Sequence, residues 1–144
     1  MTAPAIRFVH PSTRPLRVLL ADDNRDSTDS LAELLMIVGC DVCKCYDGGE
    51  ALRQADEFRP DVCILDLWMP VLYGWDVAMR LRTWEDGRAI LLIALTGVGG
   101  RQSMENSRAA GFDHHILKPS DPQEIFADLA AFIRGMEPVV LALA

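Results

Sequence analysis

Residues 62–70 read VCILDLWMP: four apolar side chains in a row, then the carboxylate of Asp66. An unbroken apolar run of strand length, with no polar alternation, suits a strand buried on both faces. Sheets of such strands are parallel and covered by helices. The same form recurs to either side. RVLLA (17–21) runs into Asp22 and Asp23, ILLIAL (90–95) into Thr96, and the short pair Ile116-Leu117 into Lys118. Asp41 to Tyr46 alternates instead and reads as the second strand.

Helical periodicity fills the gaps. Leu31, Leu34, Leu35 and Val38 fall at i, i+3, i+4 and i+7, with Gly39 as a stop. Ala51, Ala55 and Phe58 mark a second helix that ends before Pro60, and Val77, Leu81 and Trp84 a third. Arg101 to Ala110 reads as a weak helix with little apolar periodicity. Asp121 is a good N-cap for the last helix, with Pro122 at its first position and Glu124 placed for a capping box. Ile125, Leu129, Phe132 and Ile133 form its buried stripe, and Gly135 is expected to close it.

Strands alternating with helices predict an α/β fold with a doubly wound parallel sheet. The wholly apolar first, third and fourth strands belong in the centre. The second carries Asp41 and Lys44, and the fifth is short, so both belong at edges. The flavodoxin-like (βα)5 order 2-1-3-4-5 satisfies this. The 144 residues suit one domain over 16–135, preceded by a loose N-terminal extension (1–15) and followed by an apolar C-terminal tail, MEPVVLALA (136–144). The tail is expected to pack on the domain, join a dimer or fray.

With 50% hydrophobic and 24% charged residues, the composition is that of a soluble globular protein. The net charge of −7 and the lack of a Lys/Arg cluster argue against direct nucleic-acid binding. No run is long enough to span a membrane, and Pro4, Pro11 and Pro15 interrupt an N-terminus without signal-peptide layout, so a cytoplasmic location is expected. Cys40, Cys43, Cys45 and Cys63 have no histidine nearby to complete a zinc site and read as buried reduced thiols.

In open parallel sheets, chemistry gathers at the carboxyl ends of the strands. Four strands here end in reactive groups: Asp22 and Asp23, Asp66, Thr96, and Lys118. The first and third strands are neighbours in the expected order, which brings three carboxylates together. Clustered carboxylates repel one another and call for a cation; oxygen-only ligands select a hard one, Mg2+ where phosphate is handled. A carboxylate is also a nucleophile toward phosphorus, and a hydroxyl and an ammonium suit the phosphoryl oxygens.

The set LLADDN (19–24), ILDLWMP (64–70) with Gly74, ALTG (94–97) and GFDHHILKP (111–119) resembles the receiver domains of two-component response regulators, from about Pro15 to about Gly135. The last motif looks most like receivers attached to hybrid sensor kinases. The resemblance implies a phosphoacceptor at Asp66. It implies Mg2+ bound by Asp23, Asp66 and the backbone carbonyl of Trp68, with Asp22 acting through water. Lys118 would contact the acyl phosphate beside a cis Lys118–Pro119 peptide. Thr96 would move to the phosphoryl group and release or capture the residue at position His115. A sensor histidine kinase or a histidine phosphotransfer protein would supply the phosphoryl group. A downstream protein would read the altered face near the fourth helix, fifth strand and fifth helix. The chain would be a monomer or weak homodimer, and no enzyme beyond its own phosphoryl transfer and slow autodephosphorylation.

Three positions depart from the family pattern. His115 stands where Tyr or Phe is usual; either it works as the switch or it faces solvent on an edge strand. Trp68 and Val98 flank the path of the hydrolytic water in the family and are apolar here, which predicts a long-lived phosphoryl group; alternatively Trp68 is a partner contact. Tyr73 replaces a frequent Asp before Gly74, with no evident purpose. A receiver fold that never accepts phosphate is expected to have a broken site, and this one is intact. A phosphatase of the haloacid-dehalogenase type needs a second Asp where Trp68 stands, and a flavin carrier needs a Ser/Thr/Gly-rich loop where Asp22-Asp23-Asn24-Arg25-Asp26 stands. A module of a larger hybrid kinase remains the other reading within the family.

Overall fold

The computed structural model describes residues 6–84 and 89–136. Among the described residues five strands and five helices alternate: β1 (Arg17–Ala21), α1 (Arg25–Ile37), β2 (Asp41–Cys45), α2 (Gly48–Phe58), β3 (Val62–Asp66), α3 (Gly74–Arg82), β4 (Leu91–Thr96), α4 (Arg101–Ala110), β5 (His114–Leu117) and α5 (Pro122–Met136). The sheet is parallel, in the order β2-β1-β3-β4-β5 expected from strand composition. Alternate residues of the central strands bury on opposite faces. Leu19, Cys63, Leu65 and Leu92 meet Ala51, Ala55, Val77 and Leu81 of α2 and α3. Val18, Leu20, Ile64 and Ile93 meet Leu35, Ile125 and Leu129 of α1 and α5. Each of these leucines or isoleucines is held by burial whose loss on truncation to alanine costs ~2–5 kcal/mol.

Local signals set most boundaries. Asn24 caps α1, its side chain accepting from the Ser27 N–H at 3.1 Å. Gly39 takes φ 94° in the turn after α1, where a side chain would be strained. Asp121 accepts from the Gln123 N–H at 2.9 Å at the start of α5. Two expectations need correction. Trp84 lies beyond α3, which ends at Arg82, yet still packs on the core. Gly135 does not close α5, which continues to Met136. The expected tail lies, from residue 137 on, outside the described residues.

The N-terminal segment is not loose over residues 6–15. Phe8 is buried against Phe126, with ring centroids 5.7 Å apart, and its N–H donates to the Val38 carbonyl at 2.7 Å. Arg14 donates two hydrogen bonds to Asp61, at 2.7 and 2.8 Å, and Val9 bridges Pro15. One aromatic anchor and one forked ion pair outweigh the chain entropy that a polar leader would keep. Cys40, Cys43, Cys45 and Cys63 form no disulfide with one another; burial pushes the thiols of Cys40 and Cys45 up, so they stay protonated. Among the described residues no helix is long and apolar enough to cross a membrane.

Candidate functional site

The apolar strands end together at one rim and deliver their polar groups there. Asp22 follows β1, is buried, and accepts from the Asn24 N–H at 3.0 Å. Asp66 is the last residue of β3, 7% exposed, and accepts from the Trp68 N–H at 3.3 Å. Carboxylate oxygens of Asp22, exposed Asp23 and Asp66 all lie within 4.8 Å of one another, close enough to share one cation. Thr96 closes β4, fully buried, with its hydroxyl oxygen accepting from the Val98 N–H at 3.2 Å.

Lys118 enters from the loop after β5. Its backbone N–H donates to the Thr96 carbonyl at 2.8 Å, and its peptide bond to Pro119 is cis. Its ammonium donates to Asp22 Oδ2 at 2.6 Å and stands 3.5 Å from Asp66 Oδ2. Burial and the charge of Asp22 push the Asp66 carboxyl up to about 6, against the pull of Lys118 and the Trp68 N–H. Burial works against the Lys118 ammonium, but the hydrogen bond to Asp22 and the charges of Asp66 and Asp22 outweigh it and raise its pKa. The site thus holds one basic nitrogen among carboxylates that still repel, the electrostatic state that a divalent cation relieves.

Gly74 lets α3 start against Asp66. Its N–H donates to the Leu67 carbonyl at 2.9 Å, and a Cβ there would collide with the Asp66 carbonyl oxygen. Tyr73 sits at the α3 N-cap without making a side-chain cap bond. Its ring instead joins those of Trp68 and Trp75. Sequence reasoning missed Trp75; the signal was three aromatics within residues 68–75.

His115 does not face solvent. Its Nδ1 is 2.9 Å from the Ser107 hydroxyl on α4, and its Nε2 is buried with no partner. His114 turns the other way, its Nδ1 3.7 Å from Asp128 on α5. Beside the carboxylates, a cavity of 480 Å³ runs between α1 and the β5–α5 loop, lined by Leu31, Leu34, Lys118, Pro119 and Pro122 among others.

The sequence matches the family described as response regulator receiver domain over residues 18–130. It is 36% identical over 121 residues to the transcriptional regulatory protein PrrA of Mycobacterium tuberculosis, covering 82% of this chain and 50% of that protein. It is 32% identical over 123 residues to the DNA-binding dual master transcriptional regulator RpaA of Synechocystis, covering 85% and 51%. The chain therefore spans about half the length of the curated relatives it matches. Among solved structures, the chemotaxis response regulator CheY4 of Vibrio cholerae superposes with a TM-score of 0.76 at 26% identity, covering 82% of this chain and 98% of that one.

Proposed function

The chain belongs to the response regulator receiver family, and from that premise we propose that it accepts a phosphoryl group on Asp66 from a sensor histidine kinase or a histidine phosphotransfer protein. The observation that carries this reading is the placement of Lys118 within 2.6 Å of Asp22 and 3.5 Å of Asp66, at the mouth of a carboxylate cluster. An Asp66 oxygen attacks phosphorus, the bond to the donor's imidazole nitrogen breaks, and the imidazole leaves with a proton in place of the phosphoryl group. Asp23, Asp66 and the Trp68 carbonyl would hold Mg2+, with Asp22 acting through water. When bound, the ion supplies the charge neutralisation that phosphoryl transfer requires. The Lys118 ammonium turns from Asp22 to the phosphoryl oxygens, and the Thr96 hydroxyl donates to one of them.

The cavity along α1 supports docking of the donor. It is apolar at Leu31 and Leu34 and polar at Lys118, which suits an amphipathic helix that brings a phosphohistidine to the rim. Trp68 and Val98 wall the approach to Asp66 and are read as slowing hydrolysis. Movement of Thr96 toward the phosphoryl group is coupled through β4 and β5 to His115 and α4, and a downstream protein reads that face. The net charge of −7 favours a protein target over nucleic acid.

Incubation with acetyl phosphate and Mg2+, followed by intact mass, tests the reading. Gain of one phosphoryl group by the parent and none by Asp66→Asn is expected. No gain, and no beryllofluoride binding, would leave a phosphorylation-independent interaction module.

A further inference from the structure

Trp68, Tyr73 and Trp75 form a three-ring cluster beside the acceptor. The Trp68 ring meets Trp75 edge-on at 5.1 Å and 87°, and Tyr73 at 5.4 Å and 73°. Tyr73 and Trp75 in turn lie 5.1 Å apart at 31°. All three separations fall where aromatic pairs attract. We propose that Tyr73 and Trp75 are positioning residues: they hold the Trp68 indole in one orientation at the mouth of the site and so lengthen the life of the aspartyl phosphate. The inference rests on the reading of Asp66 as phosphoacceptor.

Trp68 needs such support. Its backbone is tied to the acceptor through the N–H bond to Asp66 Oδ1, so the root of the side chain is fixed two residues from the reacting oxygen. Trp68 is 52% exposed. A half-exposed side chain with only solvent beside it changes rotamer on the picosecond to nanosecond scale. Burial alone therefore does not decide where the indole stands; its two ring neighbours do.

The neighbours are themselves fixed relative to Asp66. Trp75 lies in the first turn of α3 and packs on the core, and that turn is pinned where Gly74 abuts the Asp66 carbonyl. The Tyr73 carbonyl accepts from the Asp76 and Val77 N–H groups at 3.0 and 3.1 Å. Tyr73 occupies an N-cap position where Asp or Ser would stabilise the helix. It makes no cap bond, and its ring contacts account for its presence.

Val98 lines the groove beside these rings. Trp68, Trp75 and Val98 line a common groove of 250 Å³ between the β3–α3 loop and α4. Hydrolysis requires a water oxygen to attack phosphorus opposite the Asp66 oxygen. The acyl phosphate P–O bond breaks, the Asp66 carboxylate leaves, and inorganic phosphate departs with the oxygen and protons of water. An indole held in one orientation two residues from Asp66 narrows that approach, and a free one opens it for part of the time.

The test phosphorylates the full chain with acetyl phosphate and Mg2+, removes the donor, and follows loss of phosphoryl mass. The variants are Tyr73→Ala, Tyr73→Phe, Trp75→Ala and Trp68→Ala, with Tyr73→Ala repeated in the Trp68→Ala background. Tyr73 is 46% exposed, so its truncation leaves the core intact. Decay about three- to tenfold faster is expected for Tyr73→Ala and Trp75→Ala, the factor set by the strength of one aromatic pair. Tyr73→Phe keeps the ring and should decay like the parent. In the Trp68→Ala background, Tyr73→Ala should add nothing, because the ring it positions is gone. Near-UV circular dichroism of the unphosphorylated protein should lose aromatic signal in Tyr73→Ala and keep it in Tyr73→Phe. Phosphorylated variants decaying at the parent rate, or equal acceleration with and without Trp68, would overturn the inference alone. A parent that gains no phosphoryl mass would overturn the Asp66 reading and this inference with it.

Discussion

Lys118 Nζ stands 2.6 Å from Asp22 Oδ2, so a lysine after the fifth strand neutralises a buried carboxylate after the first. Its removal leaves Asp22 and Asp66 facing one another without that cation. Lys118→Ala is expected to destabilise the metal-free protein by ~1–3 kcal/mol, less than a fully buried pair because the lysine side chain is partly exposed. Millimolar Mg2+ should restore part of the loss, since a divalent ion replaces the missing charge, and chelation should abolish the rescue. Thermal melts of parent and variant, with and without Mg2+, check this. Melts that Mg2+ leaves unchanged in both proteins would show that the cluster holds no cation.

The Asp66 carboxyl, pushed up to about 6 first by burial and then by Asp22, makes stability depend on pH. The unfolded chain releases this proton near pH 4, the folded protein only near 6. Between those values the folded state binds more protons, so this group's contribution to stability falls as pH rises and is fully unfavourable above the folded value. Asp66→Asn should therefore stabilise the metal-free protein by ~1–3 kcal/mol above pH 7, with the gain vanishing near pH 4. Denaturant titrations at the two pH values measure it. Mg2+ favours the ionised carboxylate, so phosphoryl acceptance should persist to lower pH as Mg2+ is raised. A gain for Asp66→Asn that is constant with pH would mean that titration of the Asp66 carboxyl is not its source.

The rim was legible because Asp22, Asp66, Thr96 and Lys118 each follow directly on an apolar run, and such runs have one stable place in a covered parallel sheet. Strand order followed from the polar residues of β2 and the brevity of β5 for the same reason. What stayed hidden depends on partners distant in sequence. Phe8 is a lone aromatic with no periodicity around it, and Arg14 finds Asp61 across 47 residues. The direction of His115 was left open because its partner, Ser107, sits on a helix whose buried residues are Ser107 and Ala110, with no apolar stripe to fix its face. Val71 adopts φ 73°, a left-handed conformation that no sequence rule assigns to a β-branched residue.

The docking of residues 6–15 is expected to depend on Asp61. Burial raises its carboxyl pKa, but the hydrogen bond from Arg14 and the Arg17 N–H outweigh burial and hold it below the usual range. A depressed carboxyl stabilises the fold above its unfolded value, and that contribution is lost as pH falls below about 4, through the folded value. Asp61→Ala should cost ~1–3 kcal/mol at pH 7, the range for a buried acceptor whose donors lose their partner. The Phe8 and Leu16 amides should exchange faster with solvent. Unchanged exchange there, with an intact fold, would mean that Phe8 anchors the segment without the ion pair.

Ser107 and His115 make the opposite kind of prediction, because one ring nitrogen is paired and the other is not. The Ser107 hydroxyl meets Nδ1 at 2.9 Å while Nε2 is buried without a partner. Ser107→Ala orphans the second nitrogen and should cost ~1–3 kcal/mol. His115→Phe keeps a ring of similar shape and removes both nitrogens. Ser107 then still reaches the Ser103 carbonyl at 3.0 Å, so the change should be neutral or stabilising. The double variant should recover most of the single Ser107→Ala loss. Because α4 has so little apolar grip on the sheet, the serine variant should also raise amide exchange across Arg101–Ala110 more than elsewhere. A destabilised His115→Phe would mean that the imidazole is held by interactions of its own, and that β5 is joined to α4 through more than this one bond.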